Sequence, residues 1–355
     1  MFEEVKNIFK VASIYIATIV GAGFASGREI VQFFTSYYSG GFYGIFLTGV
    51  LFAFIGYTVL NKVYLGRIQN YEEFLFPTVG WALGWIMEIV VTLFMASVFC
   101  IMVSGVGSII ADKINIPFYY AILLVAFICM IFFFTGVKGI VSLSTIVTPI
   151  LIIGILTIGI YIILSKDASV FNISGGFKNM THNWVLSSFL YTSYNSIISV
   201  VVMCSLLPYL KTKRIASIGG ILGGGILCII AIVLNYVLYI FYPYVMSMEF
   251  PVIGIVDRYS EMMGSIYRIV LLLAMFICAI TAGYGFIERV SGKIKLSKRI
   301  LIPIICCITM PLSSIGFSSL IANIYSVFGY VGMFMVFIIL IEGIKLIKGN
   351  KRLGQ

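Results

Sequence analysis

Between residues 8 and 346 the chain is a succession of apolar stretches, each about as long as a bilayer is thick, parted by short polar breaks. A helix rises 1.5 Å per residue, so about 20 mostly apolar residues cross a hydrocarbon core of ~30 Å. Ten stretches meet this requirement, at about 8–36, 42–61, 82–111, 117–135, 141–164, 184–208, 215–242, 264–287, 299–315 and 320–346. The longest breaks, 62–80, 165–183 and 243–263, are too short for a soluble domain. With 61% of residues hydrophobic and 10% charged, against about a quarter charged in soluble domains, the chain is neither a soluble enzyme, a disordered chain nor a disulfide-stapled secreted domain. The expected fold class is all-α integral membrane, one polytopic domain.

Placing the charges tests the ten-span reading. With the N-terminus cytoplasmic, 17 of the 23 Lys and Arg fall on the cytoplasmic side, five on the other, and Arg28 within a span. This is the asymmetry of the positive-inside rule, and one span more or fewer would scramble it. Both termini are therefore expected in the cytoplasm. The net charge of +10 then reflects topology and contact with anionic lipids, concentrated in the loop Lys293, Lys295, Lys298 and Arg299 and in the tail 345–352, leaving no role for nucleic acid. The expected partners are membrane lipids and a small-molecule solute. The seven cysteines lie in apolar runs without metal-ligand spacing and read as small buried hydrophobes. No metal or cofactor is expected beyond a coupling ion.

The first stretch contains the most informative segment, Gly21-Ala22-Gly23-Phe24-Ala25-Ser26-Gly27-Arg28-Glu29. Lys6, Lys10, the apolar Val11 to Val20 and the small residues that follow imitate a cleavable signal peptide. Glu3 and Glu4 make a poor basic leader, however, and the apolar pattern resumes after Glu29. One helix interrupted in its middle accounts for both halves. Each of the three glycines is worse than alanine in a helix by about 1 kcal/mol. Unwound backbone at membrane depth is viable only where it is buried in protein or lines a cavity. Its carbonyls can then hold a cation, and its N–H groups a carboxylate. The alternative is a close-packing face of small residues. A charge within a span costs at least about 2.5 kcal/mol and is commonly functional, so Arg28 and Glu29 are candidates for gating or coupling, against snorkelling into external headgroups. Glu88, near the cytoplasmic end of span 3, reads as interfacial.

Division into spans 1–5 and 6–10 (about 8–164 and 184–346) puts Ser187-Ser188-Phe189-Leu190-Tyr191-Thr192-Ser193-Tyr194-Asn195-Ser196 at the position matching the first break. Interruptions at corresponding points of two halves point to a transporter binding site, and an odd number of spans per half inverts the halves. Span 6 is accordingly expected to break as span 1 does. The candidate solute site comprises Gly21, Gly23, Phe24, Ser26, Tyr191, Ser193, Tyr194 and Asn195, with polar glue between helices as the alternative for the Ser, Thr and Asn side chains. Gly21 and Thr281 of span 8 are candidates for a cation site. The 243–263 stretch, with Pro243, Pro251 and the partly amphipathic Ile253-Gly254-Ile255-Val256, reads as an external helix folded over a vestibule.

The segment from Gly21 to Glu29, together with the ending Ile324-Tyr325-Ser326-Val327-Phe328-Gly329-Tyr330-Val331-Gly332, resembles the YkvI-type bacterial membrane proteins over essentially the whole chain. Through them the chain resembles the amino acid–polyamine–organocation superfamily with its LeuT-type five-plus-five inverted repeat. The resemblance implies a bacterial plasma-membrane location and alternating access, with solute held between broken spans 1 and 6. Sodium-coupled members of that superfamily complete an ion site with span 8 hydroxyls; this chain has Thr281 but Ala282 where a second hydroxyl is common. Proton-coupled members use a span 5 lysine; here Lys138 precedes that span. Na+ and H+ both stay open as coupling ions.

The reading is a secondary active transporter of a small organic solute, an amino acid or related amine. The alternative is a membrane solute sensor, such as a germinant-receptor-like subunit with the same fold. An enzyme is not expected: metalloprotease and nucleophile-elbow motifs are absent, and the single histidine, His182, falls in a loop.

Overall fold

The computed structural model describes residues 2–165, 183–246, 248, 250–294, 296–314 and 317–352. His182, Lys166 and Lys178 lie outside these residues. The described chain is helical: α1 (Phe2–Ile19), α2 (Ala22–Ser26), α3 (Arg28–Phe33), α4 (Ser39–Gly66), α5 (Tyr71–Val79), α6 (Trp81–Ile114), α7 (Phe118–Phe133), α8 (Gly136–Leu164), α9 (Trp184–Cys204), α10 (Lys213–Ile240), α11 (Tyr242–Val245), α12 (Pro251–Tyr259), α13 (Glu261–Lys293), α14 (Lys298–Ser313) and α15 (Phe317–Arg352). Each of the ten apolar stretches coincides with one long helix or, for the first, with α1–α3 in succession. Seven described helices are long and apolar enough to cross a membrane, and Phe118–Phe133 is a shorter apolar helix. Their outward faces carry Phe46, Leu93, Phe127, Ile146, Ile153, Ile229 and Phe337, all exposed, as lipid-facing residues must be.

Four of the first five spans pack on the one five places later: α1 on α9, α4 on α10, α6 on α13 and α7 on α14. That pairing follows when two five-helix halves interlock. The tightest of these seams, α4 against α10, is built from small residues. A β-carbon on Gly220 would stand 2.3 Å from the Gly56 carbonyl carbon, and one on Gly224 would stand 2.2 Å from the Ala53 nitrogen. One on Gly49 would meet Cys228 Cβ at 2.4 Å. Contacts every fourth residue, running opposite ways along the two chains, let the backbones touch over several turns.

Ion pairs join helix ends that the charge pattern assigns to one side: Lys62 to Glu342 (3.0 Å), Lys293 to Glu88 (3.1 Å) and Arg214 to Glu4 (3.8 Å). These ends therefore share a face, called here the basic face. Exposed Trp81 and half-exposed Trp85 stand at this end, with the Lys293 ammonium 4.8 Å from the Trp85 ring, as aromatic residues do at a bilayer boundary.

Three expectations change. Span 6 does not break: Trp184–Cys204 is one continuous helix. Its polar side chains return their hydrogen bonds to their own helix, Ser188 to Trp184 O (2.8 Å), Thr192 to Ser188 O (2.8 Å), Ser193 to Phe189 O (2.6 Å) and Ser196 to Thr192 O (2.6 Å). Such back-bonding lets hydroxyls lie inside a helix without opening it. Glu88 is fully buried and paired with Arg289 (2.5 Å) and Lys293 rather than turned to headgroups. Of the cysteines, Cys228 is half-buried and Cys307 exposed; the other five are buried. In addition, the 62–80 break contains a helix, α5, capped by Asn70, whose side chain accepts from Glu73 N.

Candidate functional site

The first span is interrupted twice. α1 ends at Ile19, Gly21 is extended (φ −100°, ψ −164°), and Gly27 adopts φ +82° between α2 and α3. This left-handed conformation is open to glycine and strained for other residues, so Gly27 sets the angle between the two short helices. The Ser26 hydroxyl stitches the junction, donating to Gly23 O and accepting from Arg28 N, both at 3.2 Å. Tyr267 of α13 donates to Ala25 O at 2.5 Å and ties α2 to its neighbour.

The turn at Gly27 brings Glu29 back over α2. A β-carbon on Gly23 would stand 2.0 Å from Glu29 Oε1, so glycine at 23 makes the room this carboxylate occupies. Glu29 is 4% exposed. Tyr194 of α9 donates to its Oε2 at 2.7 Å. The Tyr191 hydroxyl faces the same carboxylate. Tyr325 of α15 stacks on Tyr194, with ring centres 4.8 Å apart and planes 18° from parallel. Among the described residues no Lys or Arg pairs with Glu29.

Glu29, Gly21, Tyr194, Asn195 and Tyr325 line a closed cavity together with Thr18, Ile19, Phe94, Val98, Met102, Ile198 and Cys278. Its free space is about that of one water. A second cavity, about 410 Å³ in volume, reaches the basic face, where Gln69 to Glu72, Ser205, Glu288 and Gly292 border it. The two are stacked. Thr18, Ile198 and Cys278 line the closed cavity, while Ile14, Val202 and Thr281, three or four residues away on the same three helices, line the larger one. One helical turn, about 5.4 Å, therefore separates them. Buried Arg289 borders the larger cavity, paired with Glu88 and 4.3 Å from the Tyr71 ring centre.

On the opposite face, described residues pack over the first span. Arg28 Nη1 donates to Met246 O (2.6 Å) and Met248 O (3.2 Å). α12, which lies within the 243–263 stretch expected to hold an external helix, packs on α2 and α13. Asp257 of α12 pairs with Arg268 of α13 at 2.6 Å. Val252 and Leu238 close over Gly27.

Of the sequence candidates, Gly21, Tyr194, Asn195 and Glu29 come together at the closed cavity. Gly23 lies beneath Glu29. Phe24, Ser26, Tyr191 and Ser193 are buried but do not border the cavity. Gly21 and Thr281 line different cavities, and the Thr281 hydroxyl donates to Ile277 O at 2.7 Å. Arg28 faces the outer closure. Sequence reasoning did not pick out Tyr325, Cys278 or the α6 row Phe94, Val98 and Met102. The α6 row repeats every fourth residue, a signal hidden by the uniform hydrophobicity of α6.

No protein-family model matches the chain. It is 26% identical over 328 residues to the membrane protein YkvI of Bacillus subtilis, covering 91% of this chain and 92% of that protein. Among solved structures it superposes on a Na+-coupled sialic acid symporter, in its substrate-bound outward-open state, with a TM-score of 0.65 and 13% identity, over 94% of this chain and 78% of that one. It superposes on MhsT in complex with L-phenylalanine with a TM-score of 0.64 and 14% identity, over 92% and 87%.

Proposed function

We propose that this chain, a homologue of YkvI on the LeuT-type fold, is a secondary active transporter that moves a small organic solute by alternating access. The observation that carries the reading is the pair of stacked cavities. One is small, lined by buried residues that include a carboxylate, and sits at the interrupted helix; the other is larger and bordered by residues of the basic face, while among the described residues Arg28 and α12 pack over the first span on the opposite face. A carrier needs this asymmetry, because a path open on both sides would dissipate any gradient. The basic face is the cytoplasmic one on this reading, so the conformation is inward-facing, with one helical turn between the site and the vestibule. The structural neighbours include a Na+-coupled symporter and a protein bound to an amino acid, which supports a cation, Na+ or H+, as coupling ion and an amino acid or related amine as solute.

In this mechanism α1–α3 and α9 move against α6 and α13. Gly21, Tyr194 and Asn195 meet the solute, Glu29 carries charge, and Arg28 is the outer latch. Reconstitution into liposomes tests it: purified protein accumulates a radiolabelled solute from an amino acid and amine panel under an imposed Na+ or H+ gradient. Gly23→Leu, which drives a side chain into the Glu29 seat, abolishes accumulation. Binding without flux of any bound solute would return the sensor reading instead.

A further inference from the structure

We propose that Glu29 is the seat of an organic ammonium group, and that in the emptied carrier a proton takes its place there. This rests on the transporter reading and specifies its solute and its coupling ion. A buried carboxylate in apolar surroundings must be neutralised, because an uncompensated charge there is costly. Arg28, next in sequence, turns away to the carbonyls of Met246 and Met248, and no basic side chain lines the cavity. Neutralisation must therefore come from a proton on the carboxyl or from a cation that arrives with a ligand.

The surroundings select which cation. A hard ion such as Na+ is held by several oxygens. Beside the Glu29 carboxylate, the side-chain oxygens bordering the cavity are few: the Thr18 and Tyr194 hydroxyls and the Asn195 amide oxygen. The rest of the wall is mainly aromatic, aliphatic and sulfur-bearing. One carboxylate beside the cavity's aromatic residues Phe94, Tyr194 and Tyr325 suits an ammonium on a hydrocarbon arm, since aromatic faces attract a cation and pack its apolar remainder.

The neighbours of Glu29 leave the exchange to this one group. α2 bears no ionisable side chain, and the turn Thr35–Tyr37 has Tyr37. α9 presents Tyr191 and Tyr194, α13 Cys278 and α15 Tyr325. α10 faces this region with Leu238 and Asn235, its Lys213 and Arg214 lying in its first turn. When an ammonium enters, the Glu29 proton leaves for the aqueous vestibule, one positive charge replacing another.

Dicyclohexylcarbodiimide, which adds to protonated carboxyls in apolar sites, tests this on the reconstituted full-length protein. The readout is the Glu29 adduct measured by mass spectrometry between pH 5 and 8. The expected result is an adduct on Glu29, absent in Glu29→Gln, that tyramine, agmatine or putrescine suppresses at least ten-fold. Equal concentrations of NaCl or of neutral N-acetyltyramine leave it unchanged. Glu29→Asp keeps the carboxyl should the Gln variant fail to fold, and its adduct is expected to be suppressed by the same amines. No adduct at any pH, no suppression by these amines, or equal suppression by sodium overturns the proposal. The two readings fail separately. Amine protection without flux of radiolabelled tyramine, agmatine or putrescine sinks the transporter and leaves the cation seat. Wild-type solute flux by Glu29→Gln sinks the seat and leaves the transporter.

Discussion

The Glu29 carboxylate occupies the space that a side chain on Gly23 would fill, 2.0 Å from where its β-carbon would stand. Two residues six apart in sequence thus share one position, because Gly27 turns the chain back on itself between them. Gly23→Ala is expected to displace the carboxylate from Tyr194 and to cost about 1–3 kcal/mol as overpacking. Gly225, with open space around it, is the control: Gly225→Ala should be neutral or slightly stabilising. Melting temperature in detergent and solute flux, read together, check both.

The hydrogen bond from Tyr194 to Glu29 joins α9 to the interrupted helix. A hydrogen bond to a charged group contributes about 1.5–3 kcal/mol, so Tyr194→Phe should weaken binding of a protective amine roughly 10- to 100-fold while preserving the stack on Tyr325. Titration calorimetry measures it, and unchanged affinity would detach Tyr194 from the site.

Arg28 fastens the outer closure through two backbone carbonyls. At this half-exposed position, losing them should cost on the order of 1 kcal/mol, shifting the population toward an outward-open state about five-fold. Cys278 lines the closed cavity and serves as reporter. Arg28→Ala is expected to raise its labelling by an impermeant maleimide from the outer side, resolved from the other cysteines by mass spectrometry.

Glu88 and Arg289 form a buried pair between α6 and α13. Removing one partner strands the other, at about 3–5 kcal/mol in comparable sites. Arg289→Met should therefore lower the melting temperature more than Glu88→Gln/Arg289→Met does. Lys293, also on Glu88, should blunt the single-variant loss, which Lys293→Ala in the Arg289→Met background restores.

The α4–α10 seam depends on backbone contact at Gly220 and Gly224. Gly220→Leu is expected to destabilise by about 3 kcal/mol or more, since no side-chain rotamer avoids the Gly56 backbone. Failure to recover monodisperse protein, against normal recovery of Gly292→Leu in open space, is the measurement.

Hydrophobicity, charge and glycine placement by themselves determined the solvent, the span positions, the basic face and the break at Gly21 to Gly27. Each is local: a run of apolar residues, the side of a lysine, or a glycine at membrane depth acts through its own neighbours. The tertiary structure decided the rest. The polar run Ser187 to Ser196 looked like a second break, yet its hydroxyls found acceptors one turn back and the helix stayed whole. Glu88 looked interfacial until Arg289, 201 positions away, came to meet it. Tyr325 and Cys278 join Glu29 only because α13 and α15 fold against the first span. Periodicity within one helix does not encode which residues of another will face it, and the site is made of such meetings.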